Sequence, residues 1–253
     1  MALHVERLGS GPDLVLLHGW GLHGGIWHAI AARLARSFRL HLVDLPGHGH
    51  SRDHPFGDLD AVVDAVAQST PDNVRVCGWS LGGLVALRLA TRHPSRVAAL
   101  ALVSTTPCFA QRPDWPQAMA TETLMRFVED LRVEPAKTLR RFVSLNALGG
   151  PKARDRTREL AALLAERGTP SARSLAAGLA MLRDADLRSE VARIGQTAVV
   201  IHGGRDCLAP VGAGRWLAAE LACARMVEIP NAAHLPFVSH GDEVAKALES
   251  LHG

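Results

Sequence analysis

The sequence predicts an α/β fold: a doubly wound, mostly parallel sheet with an inserted helical cap. Three observations predict it. Short apolar runs alternate with amphipathic stretches along most of the 253 residues. Most of the runs are continuously apolar, as are strands buried on both faces of a parallel sheet. One stretch of about eighty residues, 107–186, breaks the alternation with helical patterning alone.

The expected strands, in chain order, are DLVLLHG (13–19), RLHLVDLPG (39–47), NVRVCGW (73–79), VAALALVS (97–104), TAVVIHGG (197–204) and ARMVEIP (224–230). The expected helices between and after them are 26–37, 59–69, 82–93, 212–222 and 242–252. Strand–helix alternation implies right-handed crossovers within one sheet. The segment 107–186 is punctuated by RPDWP, EP, LGGP and RGTP and is too long for a simple crossover. It reads as a cap, and residues 1–106 and 187–253 read as the core. The cap enters after the C-terminal end of the fourth expected strand, the edge at which open α/β sheets bind ligands.

Bulk composition narrows the function classes. Hydrophobic residues make up 47% and charged residues 21%, which excludes a disordered chain. A net charge of +3 is too small to imply nucleic acid. The four cysteines, Cys77, Cys108, Cys207 and Cys223, form no C-x-x-C pair and fit reduced thiols better than disulfides or zinc. The first residues, MALHVERLGSGPD, lack a basic region followed by an apolar one, and no apolar run approaches the roughly 20 residues of a membrane span. A cytoplasmic protein with no membrane partner is expected, and a monomer. No H-E-x-x-H, Walker loop or dinucleotide fingerprint occurs, so no metal and no cofactor are expected.

The motif with chemistry is Gly78-Trp79-Ser80-Leu81-Gly82, at the end of an apolar run and the start of a helical one. G-x-S-x-G in that context reads as a nucleophile elbow, a turn so tight that glycine is needed two residues before and two after the serine. A serine hydroxyl needs a base. Of 13 histidines, His234 is the best placed, in IPNAAHLPF between the last strand and the last helix. His18 and His48 read as loop-ordering residues, and His28, His54, His93 and His252 as surface or helix residues. The base needs a carboxylate, and Asp206 in HGGRDCLAP follows a strong strand. The order Ser80, Asp206, His234 suits the architecture. Asp44, Asp184 and Asp186 compete, with Asp44 expected to cap its own loop. Two amides are available for a developing oxyanion, those of Leu81 and of Trp20 in HGWG. The Trp20 indole either walls the cleft or packs.

HGWG, DLPGHGHS, GWSLGG, HGGRD and AAH, in this order and spacing, resemble the α/β-hydrolase family across nearly the whole chain. Within it, LVLLHGWGLHGGIW, GWSLGGLVAL, RRFVSLNALGG and AAHLPFVSH resemble esterases that remove a methyl ester from a carrier-bound dicarboxylate in biotin synthesis. The resemblance implies that Trp20, Ser80, Leu81, Phe142, Val143, Ser144, Leu145, Asn146 and His234 line the substrate site. The position of the insertion and the apolar spacing of Phe142, Leu145 and Leu148 predict that Phe142 faces Ser80. Arg205 and Cys207 depart from the common pattern around the acid.

The charge pattern fits an acyl carrier protein as partner. Lys137, Arg140, Arg141, Lys152, Arg154, Arg156 and Arg158 are opposed between 137 and 158 only by Asp155, giving +6 in a chain of +3. Acyl carrier proteins are acidic and phosphorylated, which suits arginine. Lys137 and Arg141, and Arg154 and Arg158, lie one helical turn apart. The resemblance points to these four as carrier-binding residues. A generalist esterase or C–C bond hydrolase with the same triad, and a non-catalytic binding protein of this fold, are the competing readings.

Overall fold

The computed structural model describes residues 2–251; His252, and with it the end of the expected last helix, lies outside the described residues. Seven strands form one sheet: β1 (Val5–Leu8), β2 (Asp13–Leu17), β3 (Arg39–Val43), β4 (Val74–Trp79), β5 (Val97–Val103), β6 (Thr197–Gly203) and β7 (Ala224–Ile229). Their order is β1-β3-β2-β4-β5-β6-β7. β1 runs antiparallel to β3 and every other pairing is parallel. Six of the strands lie where the apolar runs place them. β1 is the addition, four half-buried or exposed residues, VERL, with no apolar run to mark them.

Helices flank the sheet: α1 (His28–Leu34), α2 (Leu59–Ser69) and α3 (Leu81–Arg92) precede the insertion. The insertion folds as α4 (Thr121–Val133), α5 (Pro135–Ala147), α6 (Ala153–Glu166) and α7 (Ala172–Asp184). Two isolated bridges, Ala110–Met119 and Arg112–Trp115, are its only strand-like pairings among the described residues. The prolines fall between or at the starts of these helices; Pro135 opens α5, where a missing N–H costs nothing. The short α8 (Arg188–Val191) leads back to β6. α9 (Val211–Glu220), α10 (Pro236–Ser239) and α11 (Gly241–Glu249) complete the chain.

The central strands are the core. Val15, Leu16, Leu17, Val76, Cys77, Leu100, Leu102, Val199 and Val200 are wholly inaccessible. Cap residues Leu124, Phe127, Leu139, Phe142, Leu175 and Leu179 join the same apolar cluster, so the insertion is packed on the sheet. It is also tied by polar bonds. The Trp20 indole donates to Leu175 O at 2.9 Å, and His23 Nε2 lies 2.8 Å from Leu163 O.

Candidate active site

Parallel strands bring their C-terminal ends to one edge, and the loops there carry the polar residues. Ser80 directly follows β4, at φ 54° and ψ −117°, a backbone conformation that L side chains rarely adopt. Its neighbours explain why the strain persists. A Cβ on Gly78 would stand 2.2 Å from Gly82 O, and one on Gly82 would stand 2.4 Å from Leu17 O. The Ser80 amide donates to Val103 O, and its carbonyl accepts from Thr105 Oγ1 at 2.7 Å.

Asp206 follows β6 and His234 follows β7. The two loops are stitched together: the amide of Arg205 donates to Ala232 O and that of Gly204 to Ile229 O, both at 2.9 Å. His234 Nδ1 lies 2.7 Å from Asp206 Oδ2. Asp206 Oδ1 accepts the amides of Leu208 and Ala209, each at 2.9 Å. Burial alone would raise the Asp206 carboxyl. The charge and hydrogen bonds of His234 and His202 outweigh it and hold the group well below the usual carboxylate range. A carboxylate on Nδ1 leaves Nε2 as the working nitrogen. His234 Nε2 is buried without a hydrogen-bond partner, and His234 and Ser80 line one cavity.

That cavity is apolar elsewhere, its roof made by Leu124, Phe127, Phe142, Leu179 and Leu182 of the cap. Its volume of about 20 Å³ is far below the roughly 300–1,000 Å³ of small-molecule sites, so the cavity is nearly filled by its own lining side chains. Larger surface grooves elsewhere, such as that between α2 and α7, contain none of Ser80, Asp206 or His234.

Phe142 shares the cavity with Ser80, but the rest of its segment does not. α5 turns about 100° per residue, so consecutive side chains cannot all face one site. Val143 is buried in the core, and Ser144 is exposed with its hydroxyl donating to Arg140 O. Leu145 is half-buried and its carbonyl lies 3.7 Å from Cys207 Sγ. Asn146 is inaccessible and donates to Phe142 O from beside a separate small cavity. The Trp20 ring stands edge-on to Phe142 at 4.7 Å and does not line the cavity, so it backs the wall. Leu81 opens α3, so its amide has no acceptor within the helix.

The competing side chains are occupied. Asp44 is inaccessible and accepts from the amides of Gly24 and His50, as a loop cap does, and also from Arg167 of the α6–α7 link. Asp186 pairs with Arg188 and Arg112, and Asp184 with Arg183. Burial, with His48 adjacent, pushes the His18 imidazole down to about 3. Its Nε2 accepts the Leu45 amide, and it orders the loop. Burial likewise pushes His48 down to about 4. Sequence patterning missed Trp79 as a tie, its indole donating to His234 O at 2.8 Å, and it missed His202 and Arg167.

Three of the four cap cations are already paired: Lys137 with Glu134 at 2.8 Å, Arg141 with Asp130 at 2.9 Å, and Arg158 with Asp155. Glu134 and Asp130 lie just outside the window 137–158, so the patch is less positive than its sequence count. Arg154 is exposed and makes no ion pair among the described residues. Among these residues no group of three or more His, Cys, Asp or Glu is arranged to hold a metal, and no helix is long and apolar enough to cross a membrane.

A family described as the alpha/beta hydrolase family matches residues 14–247. A pimeloyl-[acyl-carrier protein] methyl ester esterase of Nitrosomonas europaea is 43% identical over 99% of both chains. Its counterpart from Chromobacterium violaceum is 46% identical over 98% of this chain and 97% of that one. Among solved structures, an esterase from Exiguobacterium antarcticum superposes with a TM-score of 0.89 at 25% identity, covering 99% of this chain and 95% of that one.

Proposed function

The chain belongs to the α/β-hydrolase family, and from that premise we propose that it is a serine carboxylesterase that hydrolyses the methyl ester of pimeloyl-[acyl-carrier protein], leaving the pimeloyl carrier for biotin synthesis. The observation that carries the reaction type is the Asp206–His234 bond at a cavity holding Ser80 and otherwise apolar side chains. The substrate rests on relatives named for it over almost their whole length.

Ser80 Oγ attacks the ester carbonyl as His234 Nε2 takes its proton. Asp206 holds the ring and stabilises the imidazolium. The amides of Leu81 and Trp20 receive the oxyanion. The tetrahedral intermediate collapses, His234 returns the proton to the methoxy oxygen, and methanol leaves. Water, deprotonated by His234, then cleaves the Ser80 acyl ester. The apolar roof contains no cation to hold the new carboxylate, which favours release of the acid.

Residues 1–106 and 187–253 form the catalytic core and 107–186 the cap. The acyl carrier protein presents the substrate, with Lys137, Arg141, Arg154 and Arg158 as its contacts. The enzyme works as a cytoplasmic monomer without cofactor, membrane or nucleic acid.

The test is hydrolysis of the carrier-bound methyl ester, with growth rescue of a biotin-requiring strain lacking its own methyl esterase. Ser80→Ala and His234→Ala lose roughly a thousandfold or more with the fold intact. Asp206→Asn is severely impaired, whereas Asp186→Asn, whose carboxylate serves Arg188, stays active. More than about a tenth of wild-type rate in Ser80→Ala overturns the mechanism.

A further inference from the structure

We infer that His202 is a positioning residue for this reaction: from β6, its Nε2–H holds the 206–209 loop so that Asp206 presents Oδ2 to His234. His202 is inaccessible, and its Nε2 lies 2.8 Å from Ala209 O and 3.4 Å from Asp206 Oδ2. A carbonyl only accepts, so Nε2 carries a proton. Nδ1 is buried without a partner, packed on Gly214 of α9, where a Cβ would stand 2.5 Å from it. The ring is therefore held in one orientation.

The loop it holds is closed from both sides. Asp206 Oδ1 takes the amides of Leu208 and Ala209, and the Ala209 carbonyl returns to His202. Removing the imidazole N–H frees the Ala209 carbonyl and with it the return of the loop to the strand. A buried carbonyl without a donor is costly, so the loop rearranges, and Asp206 moves with it. The second effect is electrostatic. Asp206 Oδ2 faces two imidazoles, His234 at 2.7 Å and His202 at 3.4 Å.

Glu228, the residue paired with His202 on β7, is held by Arg215 of α9 at 2.8 and 2.9 Å. Cys207 turns to Leu145 O. His202 is thus the second imidazole beside the carboxylate, with its own N–H given to Ala209 O.

The inference rests on the reading of Asp206 and His234 as acid and base, and the experiment separates the two. Hydrolysis of p-nitrophenyl butyrate is measured against pH for wild type, Ser80→Ala, His202→Phe and His202→Gln. Phe keeps the ring volume without the donor; the Gln amide nitrogen reaches the place of Nε2. His202→Phe is expected to lose about tenfold in kcat, the scale of a displaced catalytic group, with KM unchanged. The acid limb of kcat/KM reports the base, and a displaced Asp206 carboxylate changes the charge that His234 faces, so that limb shifts. His202→Gln recovers most of the rate and the wild-type limb.

A plain packing role moves thermal stability without moving the acid limb, and that result overturns the inference, as does an unchanged kcat in His202→Phe. Should His202→Phe fail to fold, His202→Asn replaces it. Its amide lies at the Nδ1 position, and it must lose what His202→Gln retains; equal behaviour of the two overturns the inference. Activity retained in Ser80→Ala overturns the serine-esterase reading itself, while an inactive Ser80→Ala beside a wild-type His202→Phe overturns only the role of His202.

Discussion

The Trp79 indole donates to the backbone carbonyl of His234 across 2.8 Å. The residue before the proposed nucleophile thus holds the loop that carries the proposed base. The two lie 155 residues apart in sequence, Trp79 as the last residue of β4 and His234 on the loop after β7. Trp79 is inaccessible and its ring also meets Phe237 of α10 edge-on at 5.5 Å. One side chain therefore fixes the separation of elbow and base.

Trp79→Phe keeps much of the apolar contact and removes the donor. It leaves the His234 carbonyl buried and unpaired, a penalty of about 1–3 kcal/mol against stability. It also frees the base loop, so kcat is expected to fall about tenfold while KM holds. Steady-state kinetics on a small ester, with a thermal melt in parallel, measure both. A variant that loses stability but keeps kcat shows that the bond is structural alone.

Arg167 and Asp44 form a second long-range tie, from the α6–α7 link to the end of β3, at 3.1 Å. Glu6 on β1 takes the other guanidinium nitrogen. Burial raises the Asp44 carboxyl, but His18, the amides of His50 and Gly24, and Arg167 outweigh this and hold it below the usual range. Both partners are nearly or fully buried, so Arg167→Met strands a charge and costs about 3–5 kcal/mol. The sign with pH follows from the lowered carboxyl. Its stabilisation is full above the unfolded value of about 3.9 and fades as pH falls through the folded one. Urea melts should show a wide gap between wild type and Arg167→Met at pH 7 that narrows below pH about 4. A gap independent of pH means that lost packing, and not the ion pair, destabilises the variant.

Gly78 tests the elbow without touching its chemistry. The Cβ of Gly78→Ala meets backbone, Gly82 O at 2.2 Å and Gly83 Cα at 2.6 Å, and backbone cannot rotate away. A loss of stability in the large range, about 3 kcal/mol or more, is expected, with activity falling alongside. Gly195→Ala meets nothing within 4 Å and serves as control, staying within about 0.5 kcal/mol. Near-native melting of Gly78→Ala contradicts the account of the strained turn.

The framework was legible because buried parallel strands are written as largely apolar runs. β2 to β6 announce themselves that way; β1, four residues at one edge, does not, and β7, at the other edge, carries Arg225 and Glu228 within its run. Ser80, Asp206 and His234 stand out in the sequence because each follows a strand end with a recognisable turn, and the fold brings Asp206 onto His234 and places Ser80 and His234 on one cavity. His202 does not stand out, because a histidine inside an apolar strand looks like any buried residue until its distance to Ala209 O is known. The segment Phe142–Asn146 shows the opposite failure. A resemblance assigns a continuous stretch, whereas a helix presents only one face to a cavity. The cap charges were over-read for a similar reason: Asp130 reaches Arg141 from the preceding helix, a contact that a count over 137–158 cannot contain.

Those charges are the remaining test of the carrier. Exposed ion pairs contribute about 0.2–1 kcal/mol each, and a cation already paired within the cap gains less when a partner arrives. Arg154, unpaired, is therefore expected to show the largest single effect, and Lys137, Arg141 and Arg158 smaller ones. Arg141 needs care because its guanidinium lies 5.0 Å from the Phe127 ring, which roofs the cavity. Arg141→Gln keeps the stem over that ring, and Lys137, Arg154 and Arg158 are changed to Ala. Together the four reach about 1–4 kcal/mol if additive, roughly a five- to several-hundredfold loss in kcat/KM on the carrier-bound ester. Salt screens the wild-type encounter too, so the gap between wild type and variant should shrink as ionic strength rises. p-Nitrophenyl butyrate carries no acidic protein, and its hydrolysis should hold. Equal losses on both substrates point to damage at the cavity. No loss on the carrier-bound ester at low salt leaves these cations to their partners Glu134, Asp130 and Asp155, and returns the enzyme to the class of generalist esterases.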